Sequence, residues 1–139
     1  MEQRVLLIED NEAEASLFRY VCEDIFRSTD VVIIPDGHGA VEYVKRCEFA
    51  SEPHPKLIIL DLNLPGMSGF EVLDYLKRGS CLNHVPVIIF STTRSVEHIS
   101  SAYARSASCF ISKPLDLDDY TRICKAIYQF WFSTATLPL

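Results

Sequence analysis

The chain has 139 residues, is 48% apolar and carries a formal net charge of −6. That length fits one domain with a real core, and an acidic balance without a basic cluster excludes bulk nucleic-acid binding. No apolar run reaches transmembrane length, and Met1-Glu2-Gln3-Arg4 runs straight into a strand, so neither a spanning helix nor a signal peptide is expected and the chain reads as cytoplasmic. The five cysteines show no CxxC spacing and read as reduced, mostly core residues.

In chain order, Val5 to Ile8 is a first strand, ended by Glu9 and Asp10. Asn11 caps a helix that turns Leu17, Val21, Cys22 and Ile25 inward at helical spacing. Val31 to Ile34 is a second strand, closed by Pro35-Asp36-Gly37, and the next helix buries Ala40, Val41, Val44 and Cys47. Ala50 to Lys56 holds two prolines and no periodicity, so it is a surface loop. Leu57 to Leu60 is a third strand, wholly apolar, as a strand covered on both faces of a parallel sheet must be. Asp61 ends it. Pro65-Gly66-Met67-Ser68-Gly69 turns into a helix carrying Phe70, Val72, Leu73 and Leu76, stopped at Gly79. Pro86 to Phe90 is a fourth strand ending at Ser91-Thr92-Thr93, followed by a Ser- and Ala-rich helix over about Val96 to Arg105. Cys109 to Ser112 is a fifth strand, stopped by Lys113-Pro114, and the last helix runs to about Phe130.

Five repeats of strand then helix imply an α/β fold, a doubly wound parallel sheet with right-handed crossovers. Ligands of such sheets bind beyond the carboxyl ends of the strands. Glu9, Asp10, Asp61, Ser91, Thr92 and Lys113 all lie there. Three neighbouring carboxylates repel unless paired, and a hard cation such as Mg2+ relieves that repulsion. A carboxylate beside Mg2+ can attack a phosphoryl group and form an acyl phosphate. A lysine and a hydroxyl can hold the phosphoryl oxygens. Asp61 is the expected nucleophile. Asp10, Asp61 and the carbonyl of Asn63 are the expected metal ligands, with Glu9 acting through water. Lys113 and Ser91 are the expected phosphoryl ligands.

These residues resemble the receiver domains of two-component response regulators, of the single-domain chemotaxis-regulator type. The likeness covers about residues 4 to 130. It rests on the acidic pair, an Asp with Pro four and Gly eight residues on, a Ser/Thr after strand four, and Lys-Pro after strand five. It implies a flavodoxin-like five-stranded sheet of order 2-1-3-4-5 with five helices, and phosphotransfer from a histidine kinase to Asp61. It further implies a switch in which the Ser91 hydroxyl and the Phe110 ring move together, and a cis bond before Pro114. Phe110 lacks a hydroxyl that would fix its inward state. Thr92, larger than the small residue common there, is expected to restrict access to the phosphoryl group. The family more often has Asp-Asp where this chain has Glu9-Asp10, which bears on metal affinity.

Beyond the receiver, 1–130, lies an arm, 131–139. Tyr128, Phe130, Trp131 and Phe132 put four aromatics within five residues, more than one helix face can bury. Exposed aromatics at a chain end suggest an interface; the alternative is a tail folded back over its own helix. The ending resembles response regulators paired with cyanobacterial and bacterial phytochromes. That likeness implies a homodimer built from the helix four, strand five and helix five face plus Phe130, Trp131, Phe132, Leu137 and Pro138, and a phytochrome-type kinase as partner. With no output domain, action through its own surface is expected, or a role as a phosphate sink for another kinase. A dehalogenase-like phosphohydrolase would need a second Asp where Asn63 stands, and an FMN binder would not put Glu9-Asp10-Asn11-Glu12 against a phosphate. No enzymatic turnover is therefore expected.

Overall fold

The structure, a computed structural model, describes residues 3–27 and 29–138. Its strands are β1 (Gln3–Ile8), β2 (Thr29–Ile34), β3 (Leu57–Leu60), β4 (Val87–Ser91) and β5 (Cys109–Ser112). All pair in parallel in the order β2-β1-β3-β4-β5. The intervening helices are α1 (Glu12–Arg19), α2 (Gly37–Phe49), α3 (Gly69–Lys77), α4 (Val96–Ala104) and α5 (Leu117–Tyr128). Both α1 and α5 continue into more widely wound, π-helical stretches, Tyr20–Ile25 and Gln129–Thr134.

Two cores follow from the two-residue period of the strands. Leu6, Ile8, Ile58, Leu60, Val87 and Ile89 face α2 and α3, while Val5, Leu7, Leu57, Ile59, Ile88 and Phe90 face α1 and α5. All four β3 side chains are fully buried, each contributing about 1.5–3 kcal/mol of apolar burial. The helices start where short polar side chains can take up free amides. Asn11 accepts from Glu14 N at 3.0 Å, Asp36 from Gly39 N at 2.6 Å, and Ser68 forms a reciprocal capping box with Glu71.

The Gly eight residues after Asp61 has a steric reason. A Cβ on Gly69 would lie 2.5 Å from Asp61 O and from Leu62 Cα. The start of α3 is thus pressed onto the backbone that carries the acid. Gly66, at φ +72, makes the turn just before it.

Several expectations are corrected. Ala15 and Phe18 are buried on α1, whereas Leu17 is half-buried and Ile25 exposed. Val21 and Cys22 are buried as expected, and Ile25 closes the π-helical stretch that follows α1. On α2, Tyr43 is buried and Val41 is half-buried, because Tyr43 reaches under the sheet edge to bond Arg4 and Pro53 O. The bond before Pro114 is trans, as is every peptide bond among the described residues. Trans is the intrinsically favoured isomer. Lys113 is positioned instead by its N–H on Ser91 O (2.7 Å) and by its ion pairs.

Residues 129–134 prolong α5, and the chain turns extended at Ala135. Tyr128 is buried against Phe26, ring centroids 4.1 Å apart and nearly parallel, and Phe132 packs on Tyr128. Trp131 is half-buried, but Phe130 remains 52% exposed. Pro138 reaches a small hollow it shares with His54, Lys56, His84 and Pro86 at the amino-terminal end of the sheet. Leu137 is half-buried. Among the described residues no helix is long and apolar enough to cross a membrane.

Candidate functional site

The carboxyl ends of β1, β3, β4 and β5 bring the polar groups together. Glu9, Asp10 and Asp61 each offer an oxygen within 4.8 Å of the others. Glu9 and Asp61 are buried and Asp10 is exposed, so the cluster opens to solvent on one side. Asp61 is held at both oxygens: Asn63 N–H donates to Oδ1 at 3.1 Å and Lys113 Nζ to Oδ2 at 3.0 Å. Glu9 accepts from Asn11 N–H at 3.1 Å and pairs closely with Lys113.

Lys113 is only 3% exposed at its side chain and meets three acids, Glu9, Asp61 and Glu14, the last at 2.9 Å. Burial alone would lower its pKa; the hydrogen bonds and charges of these acids outweigh that and hold it above the usual lysine range. The acids, outnumbering the ammonium, are not all relieved. Burial, reinforced by the Asp61 charge and opposed by Lys113, pushes the Glu9 carboxyl up to about 7. A cluster of hard oxygen donors with residual negative charge is the donor chemistry that Mg2+ favours, so the residues present fit a divalent ion.

Ser91 Oγ is fully buried and is the single buried side-chain polar atom without a hydrogen-bond partner among the described residues. It sits at the end of β4, between the strands that carry Asp61 and Lys113. An orphaned hydroxyl is costly to keep and is available to an incoming acceptor. Thr92 and Asn63 are exposed at the mouth, where Asn63 Nδ2 lies 3.5 Å from Thr92 Oγ1. Phe110 is half-buried on the α4 side, and its N–H donates to the Tyr103 hydroxyl at 2.9 Å. Phe130, Trp131, Phe132, Leu137 and Pro138 lie away from this edge of the sheet.

Glu14 and Arg94 escaped the sequence reading. An acid in the first turn of a helix is ordinary, and only its distance to Lys113 distinguishes Glu14. Arg94 donates to Lys113 O at 3.3 Å and ties the β4–α4 loop to the end of β5.

A parallel sheet of this order, with an acidic triad, a buried lysine and an orphaned hydroxyl along one edge, defines a phosphoryl-accepting signalling domain rather than a ligand-binding flavodoxin. The chain belongs to the response regulator receiver domain family, whose model matches residues 5–125. Among its relatives is the response regulator Rcp1 of Synechocystis, 32% identical over 96% of this chain and 92% of that one. The crystal structure of the phosphorylated cyanobacterial phytochrome response regulator RcpA superposes with a TM-score of 0.94 at 36% identity, covering both chains fully. The Mn2+-bound form of Rcp1 does so at 0.91 and 31% identity over 99% of each chain. The protein is thus a receiver-type response regulator similar to those of cyanobacterial phytochromes.

Proposed function

We propose that Asp61 is the phosphoacceptor of a two-component relay. The observation that carries this is the unpartnered Ser91 hydroxyl at the end of the strand next to that of Asp61, whose carboxylate is already fixed by Lys113 and the Asn63 amide. An Asp61 oxygen attacks the phosphorus of a phosphohistidine on a histidine kinase. The P–N bond breaks, its electron pair stays with the imidazole, and an acyl phosphate forms on Asp61. Lys113 hands its contact with Asp61 Oδ2 to a phosphoryl oxygen. Ser91 Oγ donates to another, and Thr92 lines the open side. Asp10, Asp61 and the Asn63 carbonyl would hold Mg2+, with Glu9 behind them; when bound, the ion neutralises charge on the phosphoryl oxygens. Phe110 then follows Ser91 as the moving part of the switch.

The domain acts beside its kinase in the cytoplasm, and a phytochrome-type sensor is the partner the relatives support. Self-association through α4, β5, α5 and the arm is supported by an apolar hollow of about 300 Å3 lined by Ile111, Ile123, Ile127, Phe130 and Trp131. Exposed Val96 and Tyr103 on α4 extend that apolar character.

The test is intact mass after incubation with acetyl phosphate and Mg2+. One phosphoryl adduct on wild type, lost in Asp61→Asn and without the metal, is expected. An adduct of equal yield on Asp61→Asn would sink the assignment.

A further inference from the structure

The lysine at the centre of the site has one more acid than the phosphoacceptor chemistry uses. The Lys113 ammonium donates hydrogen bonds to Glu9 and Asp61, and it is also ion-paired with Glu14 at 2.9 Å. Glu14 is not part of the acidic triad that can surround a cation; it meets the lysine from the α1 side.

Its placement is fixed on both flanks. The Glu14 N–H is bonded by the Asn11 cap at 3.0 Å, and its carbonyl accepts from the Tyr120 hydroxyl of α5 at 3.3 Å. The side chain is only 25% exposed.

We infer that Glu14 is a positioning residue that retains the Lys113 ammonium in its resting place and so restrains phosphoryl uptake. The inference rests on Asp61 being phosphorylated. Phosphorylation requires Lys113 to exchange Asp61 Oδ2 for a phosphoryl oxygen, and it adds a dianionic group where a single carboxylate charge stood. Glu14 opposes both changes. It competes for the ammonium, and its charge repels the incoming phosphoryl group. Glu14→Gln leaves an oxygen acceptor in the same place and removes only the charge.

The experiment follows intact mass over time with acetyl phosphate and Mg2+ for wild type, Glu14→Gln, Glu14→Ala and Asp61→Asn. In each turnover an Asp61 oxygen bonds to phosphorus and acetate leaves with the electron pair of the broken P–O bond. Removing one partly exposed charge near the reacting group is expected to raise the phosphorylation rate constant about threefold to tenfold. The 15N resonance of the Lys113 ammonium should shift in Glu14→Gln, a change that a merely structural role for Glu14 would not produce. A rate within twofold of wild type, or a slower one, overturns the inference, as does an unmoved Lys113 resonance. If Glu14→Gln does not fold, the same criteria apply to Glu14→Ala. Failure of wild type to take up phosphate, or equal uptake by Asp61→Asn, overturns the phosphoacceptor reading instead, so the two failures are distinct.

Discussion

The acidic edge and the aromatic tail use opposite physics. At the edge each polar group has one place to be: Asp61 has a donor at each oxygen, and Lys113 is ion-paired with three acids. Burial makes such contacts directional and intolerant of loss. In the tail the forces are apolar and non-directional. Tyr128 is buried, Trp131 and Phe132 are half-covered, and Phe130 stays out. Function at the edge should therefore fail with single-atom changes that barely touch stability. Changes in the tail should alter stability or association and leave the chemistry intact.

The largest effect that tests this contrast is Asp61→Asn, which should abolish the acetyl phosphate adduct by mass while the far-ultraviolet dichroism stays native. Next is Tyr128→Ala. Emptying a buried ring site stacked on Phe26 should cost about 3–5 kcal/mol in denaturant unfolding, with Asp61 still phosphorylated in the folded fraction. If phosphorylation failed along with stability there, the two regions would not be independent.

Ser91→Ala sharpens the contrast within the edge itself. Removing an unpartnered buried hydroxyl should leave stability unchanged or raise it by about 1 kcal/mol. Phosphorylation should slow by about tenfold, as for loss of one donor to a charged oxygen. A clear loss of stability would mean that the hydroxyl is structurally engaged.

The edge should also show in pH dependence. Glu9 has a folded pKa raised to about 7 from 4.5, so the folded state binds more protons than the unfolded one between those values. The Glu9 contribution is greatest below about pH 4.5 and is lost as pH rises through about 7. Without metal, the difference in melting midpoint between wild type and Glu9→Gln should move against wild type over that window, and millimolar Mg2+ should reverse the trend for wild type. A difference independent of pH would remove the unrelieved charge from the account.

The smallest expected effect is Phe130→Ala. Half-exposed, it should change folding stability by no more than about 1 kcal/mol, yet weaken self-association in light scattering at fixed concentration. An unchanged mass distribution would argue that this ring does not contribute to association.

The alternation of strand and helix and the groups at the strand ends were legible in the residues, and the strand order came with the family resemblance. A buried parallel strand must be apolar throughout, so an acid or lysine at its end stands out, as Asp61 and Lys113 do. Helix phase was less legible. Leu17 and Phe18 are both apolar, and only packing against β1 and α5 decides that Phe18 is the buried one. The bond before Pro114 is trans, where the family resemblance implied cis. Glu14 was invisible because local sequence explains it as a first-turn acid, and a contact 99 positions along the chain gives it another meaning.

What the sequence by itself determined is the alternation of elements and the chemistry at their ends, because hydrophobic period and residue type are local properties. Tertiary structure alone decided which acids share the ammonium of Lys113, that the Ser91 hydroxyl is left without a partner, and how far the tail aromatics are covered. Those outcomes depend on distances between segments far apart in the chain, and distances are set only when the sheet closes and the helices pack on it.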